Sequence, residues 1–406
     1  MNIIWKVLFS VFAVVIFANC QSEDELANND QSTPSLKVVW HSNENINYSC
    51  PVKPPMLSKE NGLVIYTFRC GNLGEGDKIT AYEISTGVVK WQWNESLSYG
   101  RYNAPSSRIA VNGVLYQLDD YKLIGIDVTS GSTILDAPVR SGYRAKYDLS
   151  YHDGNLYYTV RDEATESIFR VEQYNILDDR ITTLYELTRP NPEGGTNIAD
   201  VYPFTDGSSL NLVIPVTVCN YADAENHICS SYLIRYDVER DSVLWQHDFS
   251  PDEQGNIRIR KWMEPYLYIV TAETYGFDLE TGERRIYFED GGYGYLGSDG
   301  SNLYKSSGGG LLARTVKYEM KPNGRKLWTT DGAGGRSSGP VYYKGYLFSS
   351  GDSGAEGNIW IRDAKTGERV GQFRDDYWFN HSLYLDTETG RIYISDGARA
   401  FCLQIE

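Results

Sequence analysis

The stretch Ala81-Tyr-Glu-Ile-Ser-Thr-Gly-Val-Val-Lys-Trp91 decides the fold, because it is one copy of several. Tyr82 and Ile84 alternate with polar neighbours, the period of a half-buried strand. Ser85-Thr86-Gly87 supplies a tight turn in which Gly87 can take positive φ, and Val88 to Trp91 returns as the next strand. The unit recurs as Ile126-Asp-Val-Thr-Ser-Gly131, Tyr236-Asp-Val-Glu-Arg-Asp241, Phe277-Asp-Leu-Glu-Thr-Gly282 and Arg362-Asp-Ala-Lys-Thr-Gly367. Weaker copies sit at Tyr174-Asn175, Tyr318-Glu319 and Leu403-Gln404.

Aligned on the acidic or amide residue, the copies fall at Glu83, Asp127, Asn175, Asp237, Asp278, Glu319, Asp363 and Gln404, with steps of 44, 48, 62, 41, 41, 44 and 41 residues. A period in the forties without a helical pattern inside it is that of four-stranded propeller blades. A second series keeps step: Gly62-Leu-Val-Ile-Tyr66, Gly113-Val-Leu-Tyr116, Asn155-Leu-Tyr-Tyr158, Asn211-Leu-Val-Ile214, Pro265-Tyr-Leu-Tyr268, Asn302-Leu-Tyr304, Gly345-Tyr-Leu-Phe348 and Gly390-Arg-Ile-Tyr393. Two in-phase series of eight predict an all-β, eight-bladed β-propeller of four-stranded antiparallel blades. Val38-Val39-Trp40 has no earlier strand to join, and Arg399 to Ile405 has no later one, so the N- and C-terminal strands are expected to share a blade and close the ring.

Ahead of the propeller, residues 1–19 read as an export signal: Lys6, then an apolar run from Val7 to Ala18 that is short for a bilayer span. Phe17-Ala18-Asn19-Cys20 resembles a bacterial lipobox, with Asn19 where a smaller residue is usual and Cys20 as the lipidated first residue. Gln21 in place of Asp directs such lipoproteins to the outer membrane, and the run Glu23-Asp-Glu25 resembles a surface-export signal. Residues 20–35 lack strand or helix periodicity and read as a flexible tether, which leaves 36–406 as one domain. Removing Lys6 with the signal leaves 37 basic against 54 acidic residues, a net charge of −17, which argues against nucleic acid or an anionic membrane surface as the partner of the whole body.

Repeats of the form Ala-x-Asp-x-x-Thr-Gly-x-x-x-Trp resemble those of the PQQ-like β-propeller superfamily, which includes quinoprotein alcohol dehydrogenases and the outer-membrane assembly lipoprotein of the Bam complex. The resemblance implies that the Trp four residues after the turn Gly docks between blades. Trp91, Trp245 and Trp328 hold that place, with Leu135 and Ile286 as substitutes. It also implies how the enzymatic members hold their quinone, against a disulfide of two adjacent cysteines beside a carboxylate-bound calcium. No two cysteines of this chain are adjacent, and no Cys-x-x-Cys-His haem motif, phosphate loop, nucleophile elbow or zinc-spaced His pair is present. The expectation is therefore no cofactor, no metal and no catalytic residue. Gly351 to Asn358 reads as a Gly-rich connection before it reads as a calcium loop.

In a propeller, the loop entering a blade and the loop between its second and third strands lie on one face. Cys50 ahead of blade one's first strand and Cys70 after its second can meet there, and Cys219 and Cys229 flank an enlarged hairpin in blade four. Cys402 is left as a buried small hydrophobe. The same face carries aromatic residues beside bases: Arg101 and Tyr102, Tyr143 and Arg144 with Lys146 and Tyr147, Arg258, Tyr293, Arg336 and His381. Such a funnel suits an anionic group or a sugar ring. Three readings stand: a lipid-anchored scaffold binding a protein partner in the outer membrane, a surface lipoprotein binding a glycan or small anion, and a propeller lyase or hydrolase. Non-reducing peptide mapping should recover Cys50–Cys70 and Cys219–Cys229 bridges with Cys402 free; free thiols at the first four positions in exported protein would refute the shared-face reading.

Overall fold

The chain divides into Met1–Pro34 and Ser35–Glu406. The computed structural model describes residues 33–42, 50–51, 54–69, 78–93, 108–146, 149–189, 195–220, 228–250, 258–263, 266–270, 273–288, 294–307, 314–322, 324–331, 339–352, 357–374, 383–395 and 399–406. Eight antiparallel sheets follow one another along Ser35–Glu406. Blades one to seven span residues 50–93, 108–138, 143–188, 195–248, 258–288, 294–331 and 341–374. The eighth is built from Tyr384–Asp386, Arg391–Ser395 and Ala400–Ile405, with Leu36–His41 as its outermost strand. Val38 pairs with Leu403 and Trp40 with Cys402, so the two ends of the domain close the ring as expected.

The turn chemistry that recurs in the sequence is made in the same way in several blades. The Asp127 carboxylate accepts from the Thr129 and Ser130 amides at 3.0 and 2.7 Å, Asp278 from Glu280 and Thr281 at 3.0 and 2.9 Å, and Asp363 from Lys365 and Thr366 at 2.8 Å each. Asn175 does the same with Leu177 and Asp178. These are Asx turns, so the repeated acid is there for backbone amides. Gly87, Gly131, Gly282 and Gly367 close the turns at φ of +72°, +73°, +69° and +80°.

The turn glycines have a second reason. A Cβ on Gly87 would come within 2.6 Å of the Trp40 ring; on Gly131, 2.6 Å from Trp91; on Gly282, 2.5 Å from Trp245; and on Gly367, 2.8 Å from Trp328. Each indole belongs to the outer strand of one blade and lies on the turn of the next. Its Nε1–H donates into that turn: Trp40 to the Ile84 carbonyl at 2.8 Å, Trp91 to Val128 at 2.7 Å, Trp245 to Leu279 at 3.0 Å and Trp328 to Ala364 at 3.3 Å. A register shift precedes every docking residue, at Val38/Trp40, Ala81/Tyr82, Arg235/Tyr236 and Lys317/Tyr318 among others. Such bulges re-aim the following side chain. The skipped residues Val39, Ile134, Leu244 and Leu327 face solvent, which accounts for apolar side chains exposed on the rim.

Followed through the bulges, the docking series is Trp91, Leu135, Tyr185, Trp245, Ile286, Trp328, Gly371 and Trp40. Tyr185 meets Tyr236 of blade four edge-on at 5.1 Å between ring centres. Leu135 and Ile286 lie opposite Gly125 and Gly276, where a Cβ would come within 2.9 Å of the aliphatic chain. Trp40→Ala should cost about 3–5 kcal/mol, the range for emptying a buried aromatic site. Because Trp40 holds the closing blade to the first, the loss should appear as one cooperative shift in chemical denaturation; an unchanged midpoint would show that closure does not rest on this indole.

Candidate functional site

On the loop face, the described residues form a continuous group where blades two and three meet. The Asp119 carboxylate accepts from the Tyr121 and Lys122 amides at 2.7 Å each, which folds residues 119–121 into a tight hairpin tip. That tip lies against the first strand of blade three: the Ala145 amide donates to the Asp120 carbonyl at 2.8 Å, and the Val139 amide to the Tyr121 carbonyl at 2.7 Å. The blade-three strand is broken, with Tyr143–Ala145 and Ser150–His152 both paired to the continuous Asn155–Asp162. Blades one and four break their innermost strands in the same manner.

Tyr143 and Arg144, both expected at a ligand-binding funnel, lie within the first strand instead of in the connection ahead of it. Arg144 donates to the Tyr121 hydroxyl at 3.0 Å and lies 3.5 Å from the Asp120 carboxylate and 3.9 Å from that of Glu163. The Tyr143 ring carries the Arg170 guanidinium at 4.6 Å, and Arg170 pairs with Glu186 at 2.7 Å. Arg161 pairs with Glu166 at 2.6 Å. Asp162 is burdened by burial, yet hydrogen bonds from Thr165 and the Ile168 amide bring its carboxyl down to about 2, so it is ionised and committed to its own hairpin. Lys146 differs from these groups. It has no ion-pair partner among the described residues, and burial, followed by the Arg161 charge, pushes its amine down to about 8.

Arg258 begins the first strand of blade five, Arg258–Met263, and its side chain lies outside the described residues. Arg101, Tyr102, Tyr293, Arg336 and His381 also lie outside them, as do Cys20 and Cys70. Cys50 does not precede blade one's first strand but forms part of it, paired with Arg69. Cys219 and Cys229 are bridged and directly opposed across the blade-four hairpin, and Cys402 is a free, buried thiol. Among the described residues, no group of His, Cys, Asp and Glu is arranged to hold a metal ion.

The turn face holds a cleft of about 460 Å³ at the junction of blades eight and one, lined by Leu57, Lys59, Glu83, Ile84, Asp386 and Glu388 among others. Lys59 of blade one crosses it to the Asp386 carboxylate at 2.6 Å and to Glu388 at 2.8 Å. The spacing of the repeats did not signal this contact, because its partners are 327 residues apart. Hydrogen bonds to both acids raise the Lys59 pKa, while Lys59 and Thr389 hold Asp386 below its ordinary value despite burial.

Residues 45–179 match the family model described as outer membrane protein assembly factor BamB. No curated protein matches the chain. Among solved structures, BamB from Moraxella catarrhalis is similar at 15% identity and a TM-score of 0.57, over 91% of this chain and 100% of that one. A europium-containing methanol dehydrogenase is similar at 11% identity and TM-score 0.61, over 88% and 84% of the two chains. Quinohemoprotein alcohol dehydrogenase from Comamonas testosteroni is similar at 9% identity and TM-score 0.62, over 91% and 76%. The chain thus has the PQQ-like propeller fold and resembles BamB in its repeats.

Asp386→Asn should destabilise the ring at pH 7. An aspartate held low in the folded state contributes stability that is complete above its unfolded pKa of about 3.9 and is lost as pH falls through the folded value. The gap between wild type and variant should therefore narrow as acid is added below that point. Equal stability at pH 7 would mean that the Lys59 contact does not secure the junction.

Proposed function

We propose that the chain is a lipid-anchored propeller of the outer membrane that acts as a non-catalytic, protein-binding scaffold. The observation that carries the reading is the match of residues 45–179 to the BamB family model. The resemblance to the M. catarrhalis protein over its whole length supports it. In this reading Cys20 holds the lipid, residues 20–35 are the tether and the propeller is the part that meets a protein partner.

The described part of the loop face is consistent with this use. Arg144 is answered by Asp120 and Glu163, Arg161 by Glu166 and Arg170 by Glu186, so most of the positive charge there is already spent on neighbouring carboxylates. The second reading, a glycan or small anion held in the funnel by Arg101, Arg144, Arg258 and Arg336, gains nothing from Arg144. The third, a lyase or hydrolase, lacks a proposed acid and base.

Cys20→Ser should leave unprocessed or soluble protein where the wild type fractionates with the outer membrane. The wild-type chain, cross-linked in intact cells and purified from that membrane, should carry an integral membrane protein in fixed ratio. Normal fractionation of the variant would defeat the lipid anchor, and recovery of the wild-type chain alone would defeat the scaffold.

A further inference from the structure

The side chains between the first strands of blades three and four are sorted by strand alternation. Lys146 lies opposite Thr159, to whose carbonyl its amide donates at 2.9 Å, and Arg144 lies opposite Arg161. Residues two apart on a strand share a face, so Arg144, Lys146, Thr159 and Arg161 occupy one side of the blade. The third strand continues that side with Phe169 and Val171, which pair with Arg161 and Thr159. Phe169 and Val171 pack in one core cluster with Ile198, Val216 and Ile234 of blade four. The shared side is therefore the one turned to blade four.

Three cations on one face, two of them directly opposed, form an unfavourable arrangement unless countercharge is supplied. Arg144 finds it by reaching across to blade two, and Arg161 finds it in Glu166. Lys146 finds none among the described residues, although Asp120 and Glu166 are near enough to act on it at longer range. The hydroxyl beside it is in the same condition: Thr159 is 1% exposed and its Oγ1 has no hydrogen-bond partner. The facing first strand of blade four carries Thr196, opposite Val218 on the side packed against blade three, and its Oγ1 is likewise buried without a partner. A desolvated amine and an unused hydroxyl supply donors for one kind of group, an oxyanion, and the Glu166-paired guanidinium of Arg161 stands on the same side.

We propose that Lys146 and Thr159, beside the ion-paired Arg161, form an oxyanion-binding site at the junction of blades three and four, suited to a carboxylate, sulfate or phosphate group. The site uses none of the contacts that close the ring, and it stands or falls separately from the scaffold reading. A bound anion favours the charged amine, so binding is strongest below the Lys146 pKa and weakens as pH rises through about 8.

Competitive acetylation of the full chain, read at Lys146 by peptide mass spectrometry across pH, tests the proposal. Sodium sulfate, sodium phosphate and sodium acetate serve as probes, each against sodium chloride at equal ionic strength. The Lys146 titration should move upward saturably with at least one oxyanion and not with chloride, and the responding salt separates carboxylate from sulfate or phosphate. Thr159→Val, which keeps the side-chain shape, should weaken the effect by about tenfold, the loss of one charge-assisted hydrogen bond, with the anion-free titration unchanged. An equal response to chloride, no saturation, or an undiminished response in Thr159→Val would overturn the site. Circular dichroism of the variant establishes that the comparison is made on folded protein.

Discussion

An indole that leaves one blade and donates its N–H to a carbonyl in the next blade's turn is the interaction on which this ring depends. Its parts only work together. The bulge before the docking position aims the ring, the turn glycine removes the Cβ that would collide with it, and the turn carbonyl receives the indole proton. In blades four and six a cation on the third strand joins the contact. Arg235 donates to the same Leu279 carbonyl as Trp245, at 2.9 Å, and Lys317 to the same Ala364 carbonyl as Trp328, at 2.8 Å. Arg235 and Lys317 are the register partners of those indoles. Burying a cation is costly unless its donors are satisfied; both donate to the backbone that the neighbouring indole already holds, and Arg235 donates also to Asn211 and Asp206.

The ring has one place where this scheme cannot operate. The last blade lacks a turn between its third and fourth strands, because Ile405 ends one strand and Leu36 begins the other. Blade seven, whose docking residue would rest there, carries Gly371. The gap is bridged by paired hydrogen bonds between Ser35 and Glu406, at 3.2 and 3.0 Å. On the other side of the same blade, Trp40 restores the ordinary contact with blade one. The Tyr66 hydroxyl donates to the Phe401 carbonyl at 2.7 Å, and Lys59 holds Asp386 across the turn face. The closing blade is thus held to the first blade by the Trp40 dock and polar contacts, and to the seventh by an apolar cluster of Phe348, Ile359 and Ile361 with Ile392, Ile394, Phe401 and Leu403.

How much of this could be read in the sequence depends on whether a residue repeats. Glu83, Asp127 and Asp363 recur at blade spacing, and the eight blades follow from them. Trp91, Trp245 and Trp328 follow too, because each stands four residues after a turn closed by Gly87's counterparts or their substitutes. Trp40 could be assigned to the closing blade but not to its dock on Gly87, since no copy of the repeat turn precedes it in the sequence. Tyr185 is hidden because the blade-three bulge, between Val171 and Glu172, lies two residues further from the turn than in blade one, which places it two residues beyond the expected position. Lys59 and Asp386 belong to no series at all. At the loop face, Tyr143 and Arg144 were found as a pairing of aromatic and base, but the sequence does not say that Asp120 and Glu163 stand beside Arg144. Countercharge arrives from other hairpins, and only the ring's closure decides which ones.

This division explains where the fold tolerates irregularity. Second and third strands supply most of the fully buried residues, among them Val64, Ile79, Leu156, Val171, Leu212 and Leu233. Outer strands carry the docking residues and their bulges. The innermost strands carry the least of either, and in blades one, three and four they break: Cys50–Pro51 and Met56–Ser58, Tyr143–Ala145 and Ser150–His152, Gly195–Ile198 and Tyr202–Asp206. In each case an unbroken second strand spans both halves, so the interruption removes few ladder bonds and leaves the sheet intact. Residues such as Lys146 sit in these interruptions, close to the axis and free of the repeat's demands. A ring held at its periphery can therefore change the chemistry of its inner strands without reopening its blade contacts.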